Sequence, residues 1–276
     1  MKTKFICTYW GCEALSAKAF FAKVLETGYD GVEINFPEDP TFIAEFMAEL
    51  AAIRSSRDPD FIFIAQQVLT QQNETVDAYA QRLSQRLNFL TSLKPNAINS
   101  HTGKDYFDFE DNVKLIETTE QIALASGVPI WHEIHRGRFS FHLRTLLRYL
   151  ELFPNLNLVA DFSHFCVVSE SNLSDQQDSL QQLYPNIRHI HARIGFEQSA
   201  QIIDPFAPEW EPYLKQFVDW WRAILEHHRM EKKDFITITP ECGPFPYMLQ
   251  EPHTQKPLAD QWGLNMRMKN YLQAYL

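Results

Sequence analysis

Hydrophobic and polar positions along the chain follow two alternating rhythms. Short apolar or β-branched runs, bounded by Gly, Pro, Asn or Asp, read as strands at residues 4–8, 31–35, 61–65, 97–100, 129–133, 157–161, 187–191 and 235–240. Between them lie longer segments whose apolar residues recur at helical spacing: 14–27, 41–54, 74–93, 109–126, 141–153, 213–228 and 262–275. Phe42, Phe46 and Leu50 share one face of the second such segment, and Val76, Leu83, Leu87 and Leu90 one face of the third. The fourth stops at Gly127 and the fifth before Pro154, both ordinary helix-stop signals. Strands that alternate with helices imply parallel pairing through helical crossovers. Eight such repeats close most simply into a (β/α)8 TIM barrel, an α/β fold in which residues 1–276 form a single domain. A doubly wound open sheet usually carries a glycine-rich phosphate loop after its first strand. Thr8-Tyr9-Trp10-Gly11-Cys12 has no such pattern. The longest irregular stretch, 194–212, reads as an active-site loop.

Composition narrows the partners. Lys and Arg number 25 against 35 Asp and Glu, a net charge of −10, which argues against nucleic acid or an anionic membrane as partner. No apolar run approaches the roughly 18 residues of a membrane span. Four cysteines, none in a C-x-x-C pair, read as buried thiols of a reducing, cytoplasmic compartment. The opening MKTKFICTYWGC has too interrupted an apolar stretch for a signal peptide and reads as a first strand.

Barrel enzymes place their reacting groups at the C-terminal ends of strands. The fifth strand ends in Trp131-His132-Glu133, the sixth in Val159-Ala160-Asp161, the seventh in His189-Ile190-His191, and the eighth leads through Thr239-Pro240 to Glu241. Three carboxylates converging in a partly dry mouth need a compensating cation. Three oxygen donors and one imidazole suit one divalent metal ion, with Mn²⁺, Mg²⁺ or Co²⁺ favoured and Zn²⁺ acceptable. After the fifth strand His135, Arg136 and Arg138 form a cationic cluster able to hold substrate hydroxyls or a carboxylate, with Arg136 the expected contact. Arg193 follows His191 by two positions and can turn into the same mouth. His101 ends the fourth strand, and Trp10, near the end of the first, can offer a flat aromatic face to a substrate. Lys104 reads as a solvated loop charge, Trp220-Trp221 as helix core, and His189, His227, His228 and His253 as structural or surface residues.

Through WHEIHRGR, ADFSHF, HIHARIG and TPECGP, and over essentially its whole length, the chain resembles the xylose isomerase-like TIM-barrel superfamily. That superfamily contains sugar phosphate isomerases and epimerases, inosose dehydratases and endonuclease IV. In its sugar epimerases the matching Glu, Asp, His and Glu hold one divalent ion, which carries over to Glu133, Asp161, His191 and Glu241. A His three residues after the Asp, standing behind the ligands, is also a family feature, and His164 fits it as a substrate-side residue. The resemblance implies an isomerase or epimerase of a sugar or sugar derivative, working through a metal-stabilised enediolate. Glu133 and Glu241 would then face the substrate carbon, one removing a proton and the other returning it. Loss of a β-hydroxyl on the same site would instead make an inosose or keto-sugar dehydratase. A non-catalytic sugar-binding protein would have little use for two opposed bases. Endonuclease IV-type phosphodiester cleavage needs a multi-zinc site; Ala65-Gln66-Gln67 stands where a third-strand His is required, and Asp204 stands alone after the seventh strand. One departure is visible: epimerases of the superfamily often carry an Arg several residues past the metal His, whereas Arg193 lies only two past His191. No glycine-rich phosphate loop follows the last two strands, so unphosphorylated or carboxylated polyols fit at least as well as sugar phosphates. The expected partner is a small sugar or polyol, with homo-oligomerisation left open.

Overall fold

A computed structural model describes residues 1–68 and 71–276. Among the described residues the strands β1 (Lys2–Thr8), β2 (Gly31–Ile34), β3 (Ile62–Gln67), β4 (Ala97–Ser100), β5 (Ile130–Glu133), β6 (Leu158–Ala160), β7 (Ile187–Ala192) and β8 (Phe235–Pro240) follow one another in order around a closed barrel. Helices α1 (Ala17–Glu26), α2 (Pro40–Ser56), α3 (Val76–Ser92), α4 (Phe109–Ser126), α5 (Leu143–Leu152), α6 (Phe162–Ser169), α7 (Gln177–Gln181), α8 (Glu211–Met230) and α9 (Gln261–Tyr275) separate or follow them. This is the (β/α)8 architecture that the alternation of patterns implies. Two helices, α6 and α7, occupy the stretch between β6 and β7 where the pattern shows none. Among the described residues no helix is long and apolar enough to cross a membrane.

By its internal contacts the chain divides into two compact units. The first, Ile6–His132, pairs its strands in parallel, Ile6 beside Gly31, Gly31 beside Ile62, Ile64 beside Ala97 and Ile98 beside Ile130. Gly31 is required at that crossing, because a Cβ there would stand 2.4 Å from the carbonyl oxygen of Ile62. The helices begin where side chains satisfy their open N–H groups: Ser16 caps α1, Asp39 accepts from Thr41 N at 2.9 Å ahead of Pro40 in α2, and Thr75 caps α3. Gly127 ends α4 with φ of 70°, as its position predicts. An aromatic cluster of Phe21, Phe36, Phe46 and Phe63 fills the space between α1, α2 and the sheet. Lys104 departs from expectation. It is buried, with Nζ 3.4 Å from the Gln71 carbonyl oxygen and 5.7 Å from the Tyr79 ring centre, because its long stem packs inward while the ammonium finds acceptors.

The second unit comprises Met1–Phe5 and Glu133–Leu276. Here β8 lies between the start of β1 and β7, Lys2 pairing with Phe235 and His191 with Thr239. Trp220 and Trp221 of α8 are buried as predicted, both packed against the buried Phe217 and, through Trp220, against Phe162. Burying side chains of this size contributes about 1.5–3 kcal/mol each. His189 is structural: its two ring nitrogens lie 2.6 Å from Thr237 Oγ1 and 3.0 Å from Thr239 Oγ1. Of the four free cysteines Cys7, Cys12 and Cys166 are buried, while Cys242 is only half-buried.

Candidate metal centre

Strand ends and one short helix set the positions of the polar residues in the second unit. Glu133 closes β5, and its backbone carbonyl accepts a hydrogen bond from Ser140 Oγ, which turns the following HRGR segment back on the strand. Asp161 ends β6 and at once caps α6, its Oδ1 accepting from Ser163 N at 3.2 Å and from Ser163 Oγ at 2.5 Å. One turn along α6 stands His164. His191 and Arg193 leave the end of β7, and Glu241 follows β8 directly. None of Glu133, Asp161, His164, His191, Arg193 and Glu241 is more than 3% exposed.

These six side chains interlock. His191 Nδ1 lies 2.8 Å from Glu241 Oε2 and 3.7 Å from Glu133 Oε1. The Arg193 guanidinium reaches into the cluster, donating from Nε to Asp161 Oδ2 at 2.9 Å and from Nη2 to Glu241 Oε2 at 2.5 Å. His164 Nε2 stands 3.5 Å from Asp161 Oδ2. Two donor trios result, Asp161–His191–Glu241 and Glu133–Asp161–His164, each with its ligand atoms within 4.8 Å of one another.

Electrostatics follow from this crowding. Burial pushes the Asp161 carboxyl up to about 6; Arg193 pulls against that shift, while Glu241 and Glu133 add to it. Burial alone would loosen the proton on Arg193, but Glu241 and Asp161 overrule it and hold the guanidinium charged. Burial, with help from His135 and Arg193, drives His164 well below the ordinary histidine value, so its imidazole is neutral. Three carboxylates against one guanidinium leave two formal negative charges on buried side chains. One divalent ion would neutralise them, and carboxylate oxygens with imidazole nitrogen are the donors such ions take. The residues present therefore fit a divalent metal.

Sequence reasoning did not find Tyr247, which follows Pro244-Phe245-Pro246 in the segment after β8. Its ring centre lies 4.5 Å from the Arg193 guanidinium carbon and 5.1 Å from that of Arg136, and its hydroxyl is 3.3 Å from His135 Nε2. His135 in turn packs its ring 3.9 Å from that of His164. The predicted contacts Arg193 and Arg136 thus meet on one tyrosine, Arg136 remaining exposed. Trp10 and His101 belong to the Ile6–His132 unit. There Trp10 is half-buried with its backbone N–H donating to Thr8 Oγ1, and His101 is buried with its backbone carbonyl accepting from Tyr79 Oη at 2.8 Å.

No protein-family model matches the chain, and no curated protein does either. Solved structures do resemble it. A D-tagatose 3-epimerase-like protein is 17% identical with a TM-score of 0.65, covering 99% of this chain and 98% of the other. The IolI protein with a bound zinc atom is 13% identical at a TM-score of 0.65, with 99% of each chain covered. A xylose isomerase-like TIM-barrel protein from Mycobacterium smegmatis in complex with magnesium is 10% identical at 0.66, covering 100% and 98%. These likenesses are of fold, a closed (β/α)8 TIM barrel.

Proposed function

We propose that this chain is a divalent-metal-dependent isomerase or epimerase of a sugar or sugar derivative. The observation that carries the reading is the pair of buried glutamates from two different strand ends, Glu133 and Glu241, both reaching the His191 imidazole. Glu133, Asp161, His191 and Glu241 would hold the ion, which when bound acidifies the C–H beside a chelated carbonyl. The chain's own residues do the rest. One glutamate removes the proton from the substrate carbon and the other returns it. Arg193 fixes Asp161 and Glu241 in one arrangement and lowers the cost of their charge. Arg136 and His135, aligned by Tyr247, hold substrate oxygens. The likeness to a D-tagatose 3-epimerase-like protein and to a D-psicose 3-epimerase with D-tagatose supports a sugar as the substrate class.

The test is solvent-deuterium incorporation into ketohexoses, D-tagatose first, and into uncharged and carboxylated polyols, with Mn²⁺ present. Deuterium should enter the recovered sugar at the carbon beside the carbonyl. Glu133→Gln and Glu241→Gln should each lower the rate about 10²–10⁴-fold. A product with enone or diketone absorbance would replace this reading by dehydration; sugar binding with no exchange on any of the compounds would end the enzymatic reading.

A further inference from the structure

Beyond Pro240 the eighth strand runs out of sheet. Glu241 N still faces the Ala192 carbonyl oxygen, but at 3.5 Å, the far limit of a hydrogen bond, and Ala192 is the last residue of β7. The next two residues need other partners, because buried N–H and C=O groups are seldom left open. Two side-chain amides supply them. Asn265 of α9 accepts from Cys242 N at 2.6 Å through Oδ1 and donates to the Cys242 carbonyl oxygen at 3.1 Å through Nδ2. Gln201 does the same one residue on, accepting from Gly243 N at 2.7 Å and donating to the Gly243 carbonyl oxygen at 3.1 Å. Both amides are buried.

The chemistry of this clamp is specific. Only a carboxamide sets a donor and an acceptor side by side to match the N–H and C=O of one residue. A carboxylate there would turn an oxygen on the carbonyl, beside a cluster already two charges negative. The clamp also has a firm base. Gln201 sits in a closed turn, where Ile202 N donates to the Ile194 carbonyl oxygen at 2.8 Å and Ser199 Oγ to that of Gln201 at 3.0 Å. Asn265 stands in α9 between the buried Leu264 and Met268. Glu241 is therefore held at two ends, its carboxylate by Arg193 and the backbone after it by the two amides. Crowded carboxylates repel one another, and a site must keep its groups within about 0.5 Å of their working positions.

We infer that Gln201 and Asn265 are positioning residues for the metal: by clamping Cys242 and Gly243 they hold Glu241 where the ion needs it. This rests on the metal-dependent reading above and adds to it the residues that keep one ligand in place.

Zinc titration by calorimetry tests the inference. Gln201→Ala and Asn265→Ala, made separately, should each bind zinc about 10–100-fold more weakly. Asn186→Ala is the matched control. Its buried amide also bonds backbone in the same unit, the Pro154 and Leu156 carbonyl oxygens at 2.9 Å each, but ahead of β6 and β7, at the end of those strands away from the cluster. That variant should unfold at lower temperature with its zinc affinity unchanged. Linkage adds a measurement on the wild type, informative even where no variant folds, because what the clamp does for the ion the ion must do for the clamp. Hydrogen exchange at the Cys242 and Gly243 amides should slow by a similar factor when zinc binds. Undiminished affinity in a folded clamp variant, an equal fall in Asn186→Ala, or unchanged exchange at these amides overturns the inference while the metal reading stands. A wild type that takes up neither zinc nor manganese fails the metal reading, and the inference with it.

Discussion

Asp161 works through a single carboxylate in three ways: it ends β6, caps α6 through Ser163, and receives the Arg193 guanidinium. Burial holds its folded pKa at about 6 against an ordinary 3.8, so between these values the folded chain binds more protons than the unfolded one. Stability from this group therefore falls as pH rises through that window, and the full cost, on the order of 3 kcal/mol, is present above pH 6. In chelator, the metal-free wild type should lose more unfolding free energy between pH 5 and pH 7 than Asp161→Asn does. Urea titrations at the two pH values give the comparison, and parallel losses in both proteins would remove the assigned cost. At this scale the sequence was informative where a side chain ends a strand, since an acid after an apolar run marks its own place, as at Glu133, Asp161 and Glu241. It was silent on Tyr247, whose position depends on the path of an irregular segment. It also misled on Lys104, whose charge said nothing about where the stem would pack.

Among the elements, α6 shows why pattern alone missed a helix that carries function. Its sequence FSHFCVVS is apolar nearly all round, and Phe162 through Cys166 are all buried. A helix buried on every side has no polar face and so no period to detect. Its entry is fixed instead by the Asp161 cap and by the close approach of the segment after β7. A Cβ on Gly195 would meet the Ser199 carbonyl oxygen at 2.8 Å, the Ala200 carbonyl oxygen at 2.9 Å and Ser163 Cβ at 2.9 Å. Two of these contacts are backbone and cannot swing aside, while the third is the residue that holds Asp161. Gly195→Ala should therefore destabilise the protein by about 1–3 kcal/mol. It should also weaken metal binding, because the displaced Ser163 no longer orients its carboxylate. Thermal unfolding and zinc titration read the two effects separately. A destabilised variant with undiminished zinc affinity would show that α6 is not aligned through this contact.

At the scale of the whole molecule, the eightfold alternation of short apolar runs and amphipathic segments was enough to imply the closed barrel, because few parallel arrangements bring eight strand ends together. The alternation carries no information on charge balance, which depends on where one arginine points. Arg193 enters the cluster and cancels one of three carboxylates, so the metal-free protein retains two formal negative charges among buried side chains. A folded state strained in this way gains more from a divalent ion than the unfolded chain does, and linkage converts that difference into stability. At a free ion concentration about 100 times the dissociation constant the gain is about 2.7 kcal/mol. For a chain of this size that is a rise of roughly 5–10 °C in the unfolding temperature. Scanning calorimetry of chelator-treated protein, with and without zinc or manganese, should show the shift. Arg193→Gln, which restores the third uncompensated charge, should be less stable without metal and gain more with it. Equal gains in the two proteins would mean that the guanidinium is not part of the charge the ion answers.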